Sequence, residues 1–310
     1  MIKAIKANEK NISLEQLIKK FPDEESGRFY FEKLFWNNIP QCPFCHKTEQ
    51  QYKQTRDGKA GYYRCNKCVR VYTVRTGTIM ERSHVPYHKW LITAYFMAMN
   101  SKGISSTQLA NALDITQRTA LFLLHRLREA GADINPALLR GEIEADETYI
   151  GGKEHNKHAS KKLKLGRGAV GKIPVLGLRE RGGRTFATIL PDTSAKTIQD
   201  ILGKRIDKNA TLYTDESSSY KGNKFNHKVV NHSAKQPVDG KAHTNSVESL
   251  RALKKRTILG THHKVSPKHL PRYVAELVYR QNEGNTKYPT MDRINALMNK
   301  SKGKSLTTRI

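Results

Sequence analysis

Four cysteines constrain this chain more than any other feature. Cys42, Cys45, Cys65 and Cys68 form C-P-F-C and C-N-K-C, with residues 46–64 between the pairs. No cysteine is left over, and the N-terminal MIKAIKANEK lacks the apolar stretch of a secretory leader. In such a chain two CxxC pairs read as a metal site rather than as disulfides. Each CxxC turn sets two thiolates on one side of a tight knuckle. Two knuckles close a tetrahedron around Zn²⁺, with iron in a rubredoxin-like site as the alternative. Four thiolates leave no open coordination position, so the metal is structural rather than catalytic. Tyr52–Gln54 and Tyr62–Arg64 read as short strands on either side of Asp57-Gly58. The pattern predicts a zinc ribbon over 39–80.

Helices surround this ribbon. Ser13-Leu-Glu-Gln16 has the form of a capping box, Pro22 ends the helix it opens, and Asp23–Trp36 reads as a second helix. Its Phe29, Phe31, Leu34, Phe35 and Trp36 are expected to pack a core in an N-terminal helical segment, 1–38. After the ribbon, Tyr87–Asn100 is apolar and expected to be buried. Ser105-Ser-Thr-Gln108 opens another helix, the chain breaks at Asp114-Ile115, and a further helix restarts at Thr116. There Ala120, Leu123, Leu124 and Leu127 recur at helical spacing. Two short helices joined by a tight turn within 81–138 resemble a helix-turn-helix, whose second helix lies in the major groove. Gln117, Arg118, His125, Arg126 and Arg128 fall outside the apolar row. Gln117, Arg118 and Arg126 are the candidate DNA contacts.

Charge points the same way. Lys and Arg total 55 against 28 for Asp and Glu, a net +27. A folded protein this basic suits a polyanion, and nucleic acid is the first choice because its phosphates release condensed counterions to Lys and Arg. A ribosomal-type or merely basic protein is the plainer alternative. The 37% hydrophobic content suffices for a core. The longest apolar run, Leu91–Met99 with Thr93 inside it, is far short of the ~20 residues a membrane helix needs. The expected location is the cytoplasm, in association with the nucleoid.

The composition changes at Gly141. Glu142–Ile150 alternates polar and apolar as a strand does. Lys153–Lys172, a loop with seven Lys or Arg, is a solvated face or a phosphate contact. Ile173–Arg179 and Arg184–Leu190 form a hairpin about Gly182-Gly183. Thr193–Arg205 is a helix, Ala210–Thr214 and His227–Asn231 are strands, and Thr244–Thr257 and Ser266–Gln281 are helices. This order predicts an α/β domain with a mixed sheet over 139–285. A basic tail over 286–310 is expected to follow it.

Acidic residues are scarce in this region, so their positions carry weight. Asp146 lies on the first strand, Asp215 follows a later one, and Glu248 sits near a helix start, 69 and 33 residues apart. Carboxylates at strand ends and on an adjoining helix can converge at one sheet edge, where they repel one another unless a cation holds them. Hard oxygen ligands select Mg²⁺ or Mn²⁺ over zinc. Two such ions ~3.5–4 Å apart can activate a nucleophile and stabilise the leaving oxygen of a phosphodiester.

With these segments in view, the chain resembles insertion-sequence transposases of the Asp-Asp-Glu type, specifically family fifteen-ninety-five, whose members carry an N-terminal zinc ribbon. The matching segments are FPDEESGRFYFEKLFW, CPFC…CNKC, EADETYIGGKE, YTDESSSY, VNHS and HTNSVESLRALKKRTILGTHHKVSPKHLPRYVAELVYRQN, in that order, within about residues 12–285. The resemblance implies a multidomain chain: zinc ribbon, helix-turn-helix-like segment, then a ribonuclease-H-like catalytic domain. It implies Asp146, Asp215 and Glu248 as the catalytic, magnesium-binding triad. It also implies that Lys255, seven residues after Glu248, holds a DNA phosphate and that Asn245 orients Glu248. His232 and His243 contact DNA, shape the metal site or pack structurally. The implied reaction cleaves element ends and joins the exposed 3′-OH to target DNA. The partners are duplex DNA at terminal inverted repeats, target DNA, and a second copy or more of the chain in a synaptic assembly. Two other readings stay open at this point: a decayed or domesticated DNA-binding regulator, and a ribonuclease-H-like nuclease without strand transfer.

Overall fold

A computed structural model describes residues 11–100, 102–133, 135–152, 158–163, 169–220, 222, 224–230, 256–262, 265–284 and 288–304. The chain divides into two compact units, residues 1–131 with 283–310, and residues 132–282.

In the first unit, α1 (Leu14–Lys20) opens with the expected capping box. The Gln16 backbone N–H donates to Ser13 Oγ at 3.2 Å, and the Ser13 N–H donates to Gln16 Oε1 at 2.8 Å. Helix α2 (Glu24–Trp36) is capped by Asp23 and ends at Asn37 in the left-handed region. Not all of its aromatics enter the core. Phe31 and Phe35 are buried, but Phe29 is 51% exposed, with the Arg28 guanidinium 4.4 Å from its ring centroid. At helical spacing, Phe29 points away from the face that Phe31 and Phe35 share. Gly27 lies on the buried side, where a Cβ would stand 2.7 Å from the His88 backbone N, so only glycine allows the close approach.

Strands β1 (Gln51–Arg56), β2 (Lys59–Cys65) and β3 (Val71–Tyr72) form an antiparallel sheet in that order. Asp57 and Gly58, both at positive φ, make the two-residue turn between β1 and β2. Helix α3 (Tyr87–Met99) buries Trp90, Leu91, Ala94 and Met97. Helix α4 (Ser106–Leu113), opened by the Ser105–Gln108 capping box, and α5 (Gln117–Gly131) are joined by a turn in which Asp114 takes positive φ.

The residues read as a basic tail fold differently. Thr290–Asn299 is a helix with Ile294, Leu297 and Met298 wholly buried. Arg293 Nη1 donates to the Ala98 carbonyl at 2.8 Å, and Lys304 Nζ donates to the last carbonyls of α5, Glu129 and Ala130, both at 3.0 Å. The apolar i, i+3, i+4 row was present in the sequence beneath the basic charge.

The second unit is built on a five-stranded sheet: β4 (Glu142–Ile150), β5 (Ile173–Glu180), β6 (Thr185–Ile189), β7 (Thr211–Thr214) and β8 (Asn226–Val229). The spatial order is β6-β5-β4-β7-β8. The β4–β5 and β5–β6 pairs are antiparallel, and the β4–β7 and β7–β8 pairs are parallel. Helix α6 (Ala195–Arg205) covers one face, where Ile143, Ala145, Leu176, Leu178 and Leu212 meet Ile198 and Leu202. Against the other face, Val175 packs with Ile258, Leu270 and Val274, the last two from α7 (Leu270–Asn282). Asn282 closes part of the β6 edge: its Oδ1 accepts from the Thr185 N–H at 2.7 Å and its amide donates to the Thr185 carbonyl at 2.8 Å. Most of the expected Thr244–Thr257 helix lies outside the described residues, as does much of the Lys153–Lys172 loop.

Candidate functional site

The cysteine site is assembled by two matching knuckles. In the first, the Cys42 N–H donates to the Lys47 carbonyl at 3.0 Å; in the second, the Cys65 N–H donates to the Arg70 carbonyl at 3.0 Å. The fourth residue after each leading cysteine, His46 or Val69, takes positive φ. The hairpin then carries Cys65 back to the first knuckle, because Gln51 pairs with Cys65 across β1–β2. The Cys42–Cys68 and Cys45–Cys65 sulfurs stand 3.6 Å apart, and all four lie within 4.8 Å of one another. That is too long for disulfides, at ~2.05 Å. It matches the ~3.8 Å edge of a tetrahedron whose metal–sulfur bonds are ~2.3 Å.

The surroundings polarise the thiols unequally. Burial pushes the Cys42 thiol up to about 12. Burial also works against the Cys65 thiolate, but the Cys68 backbone N–H, the Gln51 amide and the Cys45 thiol outweigh it and bring Cys65 to about 6. Gln51 Nε2 donates to Cys65 Sγ at 3.4 Å while Tyr72 Oη donates to Gln51 Oε1 at 2.8 Å, which fixes the amide. Tyr63 and Tyr72 stack 5.7 Å apart beside the cluster, with Trp36 edge-on to both. Gln51, Tyr63 and Tyr72 were not singled out from the sequence. For Tyr63 the signal was its alternation with Cys65 along β2, and for Gln51 its place opposite Cys65 across the hairpin.

Two of the expected carboxylates come from neighbouring strands. Glu142 pairs with Thr211, Ile143 with Leu212 and Glu144 with Tyr213 across the parallel β4–β7 ladder. The ladder ends there; Asp146 is two residues further along β4 and Asp215 follows the last residue of β7, on strands that are neighbours in the sheet. Across β4–β5, Asp146 faces Gly177, so no side chain from that strand crowds it. Asp215 Oδ1 accepts from the Ser217 N–H at 3.1 Å, which holds the loop in a turn. Thr214, wholly buried, shares a 2.8 Å hydrogen bond with His227 Nε2 on β8. Burial lowers the His227 pKa, disfavouring the charged ring.

Glu147 was not singled out from the sequence. Its carboxyl neighbours the buried Tyr220 hydroxyl, and its pKa is raised, first by burial and then by the charges of Asp215 and Asp146. The Tyr220 hydroxyl is in turn pushed well up by burial and by Glu147. Three carboxylates thus sense one another here. The signal in the sequence was adjacency to Asp146, but strand alternation turns Glu147 to the α6 face. Behind Asp146, Glu144 is wholly buried, with Arg181 Nε on its Oε1 at 2.8 Å and Arg181 Nη1 on Glu142 at 3.2 Å. Glu248, Lys255, Asn245, His232 and His243 lie outside the described residues.

The helix-turn-helix candidates divide. Arg118 is exposed, and Gln117 is exposed with its amide donating to the Ser106 and Thr107 hydroxyls at 3.3 and 3.1 Å. Arg126 is a correction to the expected groove contact. It is 7% exposed, its Nη1 donates to the carbonyls of Ile79 and of Glu81, and its guanidinium lies 4.1 Å from the Phe122 ring centroid. Its donors brace the 79–81 loop. His125 and Arg128 are likewise buried. Helix α5 packs on more of its circumference than its apolar row alone indicates, and for Arg126 the 79–81 loop supplies the acceptors.

Comparison with known proteins agrees with this division of the chain. Residues 22–71 match the transposase zinc-ribbon domain and residues 138–282 match the ISXO2-like transposase domain. A protein of Halobacterium salinarum, described as an uncharacterized protein in transposable element ISH50, is 28% identical over 278 residues, spanning 85% of this chain and 92% of that protein.

Proposed function

Because residues 22–71 match a transposase zinc-ribbon domain and residues 138–282 an ISXO2-like transposase domain, we propose that the chain is a metal-dependent DNA transposase that cleaves the ends of its element and joins the 3′-OH to target DNA. The observation that supports this reading is that β4 and β7 are parallel neighbours whose ladder ends at Glu144–Tyr213, two residues before Asp146 and Asp215. Such an edge, with hard oxygen donors and a third acid beside them, suits Mg²⁺ or Mn²⁺. The strand order, three antiparallel strands followed by two parallel additions, supports a ribonuclease-H-like domain. The ions would supply nucleophile activation and neutralise charge developing on the phosphate. Asp146 and Asp215 hold them, with Glu248 assigned as the third ligand on the strength of the resemblance. Arg181 and Glu144 keep β4 in place, and the Asp215–Ser217 turn orients its carboxylate.

In this reading the four thiolates hold structural Zn²⁺, which fits their spacing and leaves no position for substrate. Gln117, Arg118 and Lys255 contact DNA. Both element ends must be joined, so the working form is a dimer or larger synaptic assembly acting in the cytoplasm on the nucleoid. No described helix is long and apolar enough to cross a membrane.

The test uses DNA spanning the gene and its flanks, incubated with Mg²⁺ and either wild type or Asp215→Asn, with every new 3′ end mapped. Cuts at both ends of a flanking inverted repeat, made by wild type alone, are expected. Salt-sensitive binding without cutting would shift the assignment to a DNA-binding regulator, and structure-specific cutting without joining to a plain nuclease.

A further inference from the structure

The ribbon has two faces, and only one is used by the metal. Cross-strand partners share a face. Tyr63, Cys65 and Tyr72 point to the cysteine side and are buried. The opposite face takes Tyr52 and Arg64, which pair directly, and Gln54 and Tyr62, which pair two residues along. Arg56 joins them, its guanidinium 5.9 Å from the Tyr62 ring centroid. Tyr52 is 54% exposed, and Arg56 and Arg64 are exposed. Among the described residues neither arginine makes an ion pair. Arg28, Arg75 and Arg126, by contrast, are all committed to carboxylates or carbonyls within the first unit.

We propose that this outer face of the β1–β2 hairpin is a duplex-DNA reading surface, with Arg64 and Gln54 at base edges, Arg56 at a phosphate and Tyr52 packed beside them. The inference rests on the transposase reading for its substrate and adds which surface meets it. Charge complementarity carries the choice of occupant: Arg56 and Arg64 stand on this face, with Lys59 paired to Arg56 at the turn, against the single acid Asp57. A two-stranded ribbon fits the major groove, where Arg matches guanine and Gln matches adenine in bidentate fashion. Within α5, the burial of His125, Arg126 and Arg128 leaves Gln117 and Arg118 of the first turn exposed.

The test uses full-length, zinc-loaded protein and labelled duplexes from both flanks of the gene, with an unrelated duplex as competitor, over a range of salt. Arg64→Ala and Gln54→Ala are expected to weaken flank binding about tenfold while the unrelated duplex is held nearly as before. Arg56→Ala should weaken both and reduce the log–log salt slope by about one. Lys53→Ala is the control, because it removes one positive charge from the same hairpin on the opposite face. Retained zinc stoichiometry and melting temperature verify that each variant is folded. Equal losses in Lys53→Ala and Arg64→Ala, or none in Arg64→Ala, would overturn the assignment. Failure of wild type to prefer either flank would instead count against the transposase reading itself.

Discussion

The thiols of the ribbon and the carboxylates of the second sheet are gathered by different routes. Cys42, Cys45, Cys65 and Cys68 come from two knuckles, each closed by its own backbone hydrogen bond, and one hairpin joins them. Asp146 and Asp215 come from strands separated in sequence by a hairpin and helix α6, and only the parallel β4–β7 ladder makes those strands neighbours. The thiols are soft ligands gathered locally; the acids, in the proposed reading hard ligands for a divalent ion, come from distant parts of the chain. A local site depends on its metal to fold, because little else holds so small a sheet. A non-local site is held by the core beneath it, so its acids can be exchanged without losing the fold.

Four experiments test that contrast, from the largest effect to the smallest. Cys65→Ser, or exhaustive chelation, should unfold the ribbon, since structural zinc contributes on the order of 10 kcal/mol in small zinc domains. Near-ultraviolet circular dichroism should lose the Tyr63–Tyr72–Trp36 signal, and its survival would break the comparison. Asp146→Asn should lower strand cleavage at least about 10³-fold, ~4 kcal/mol of barrier, with the melting temperature unchanged or raised. Unfolding of Asp146→Asn would mean that the acid is structural. Saturating Mg²⁺ should stabilise the wild type by about 2–3 kcal/mol at one hundred times its dissociation constant, and Asp146→Asn much less, as read by thermal melting.

Glu147→Gln should have the smallest effect. Burial raises the folded-state pKa of this carboxyl above the ordinary 4.5. The folded state therefore keeps its proton where the unfolded chain has lost it, and stability falls as pH rises from 4.5 to that raised value. Without divalent ion, the variant should lose this decline and melt higher at neutral pH. An unchanged pH profile would show that Glu147 does not sense the cluster.

How far the sequence could be read follows from the range of the interactions. Capping boxes at Ser13 and Ser105 act over three residues, so the helices beneath α1 and α4 were legible. Strand periodicity placed Asp146 on β4 and Asp215 after β7, but not the ladder that makes those strands neighbours. Arg126 was misread because its position off the apolar row is the same whether it meets solvent or the Ile79 and Glu81 carbonyls. The 286–310 segment was misread because net charge masked the row of Ile294, Leu297 and Met298.

The sequence alone determined the thiol ligand set, the order of the acids and most secondary elements, since each is written in spacing along the chain. The tertiary structure decided what spacing cannot encode. It put Glu147 beside Tyr220, committed Arg126 to backbone carbonyls, and left Arg64 and Tyr52 on the open face of the hairpin. Those outcomes depend on which distant surface packs against each side chain, and that is settled only when the sheets and helices close around their cores.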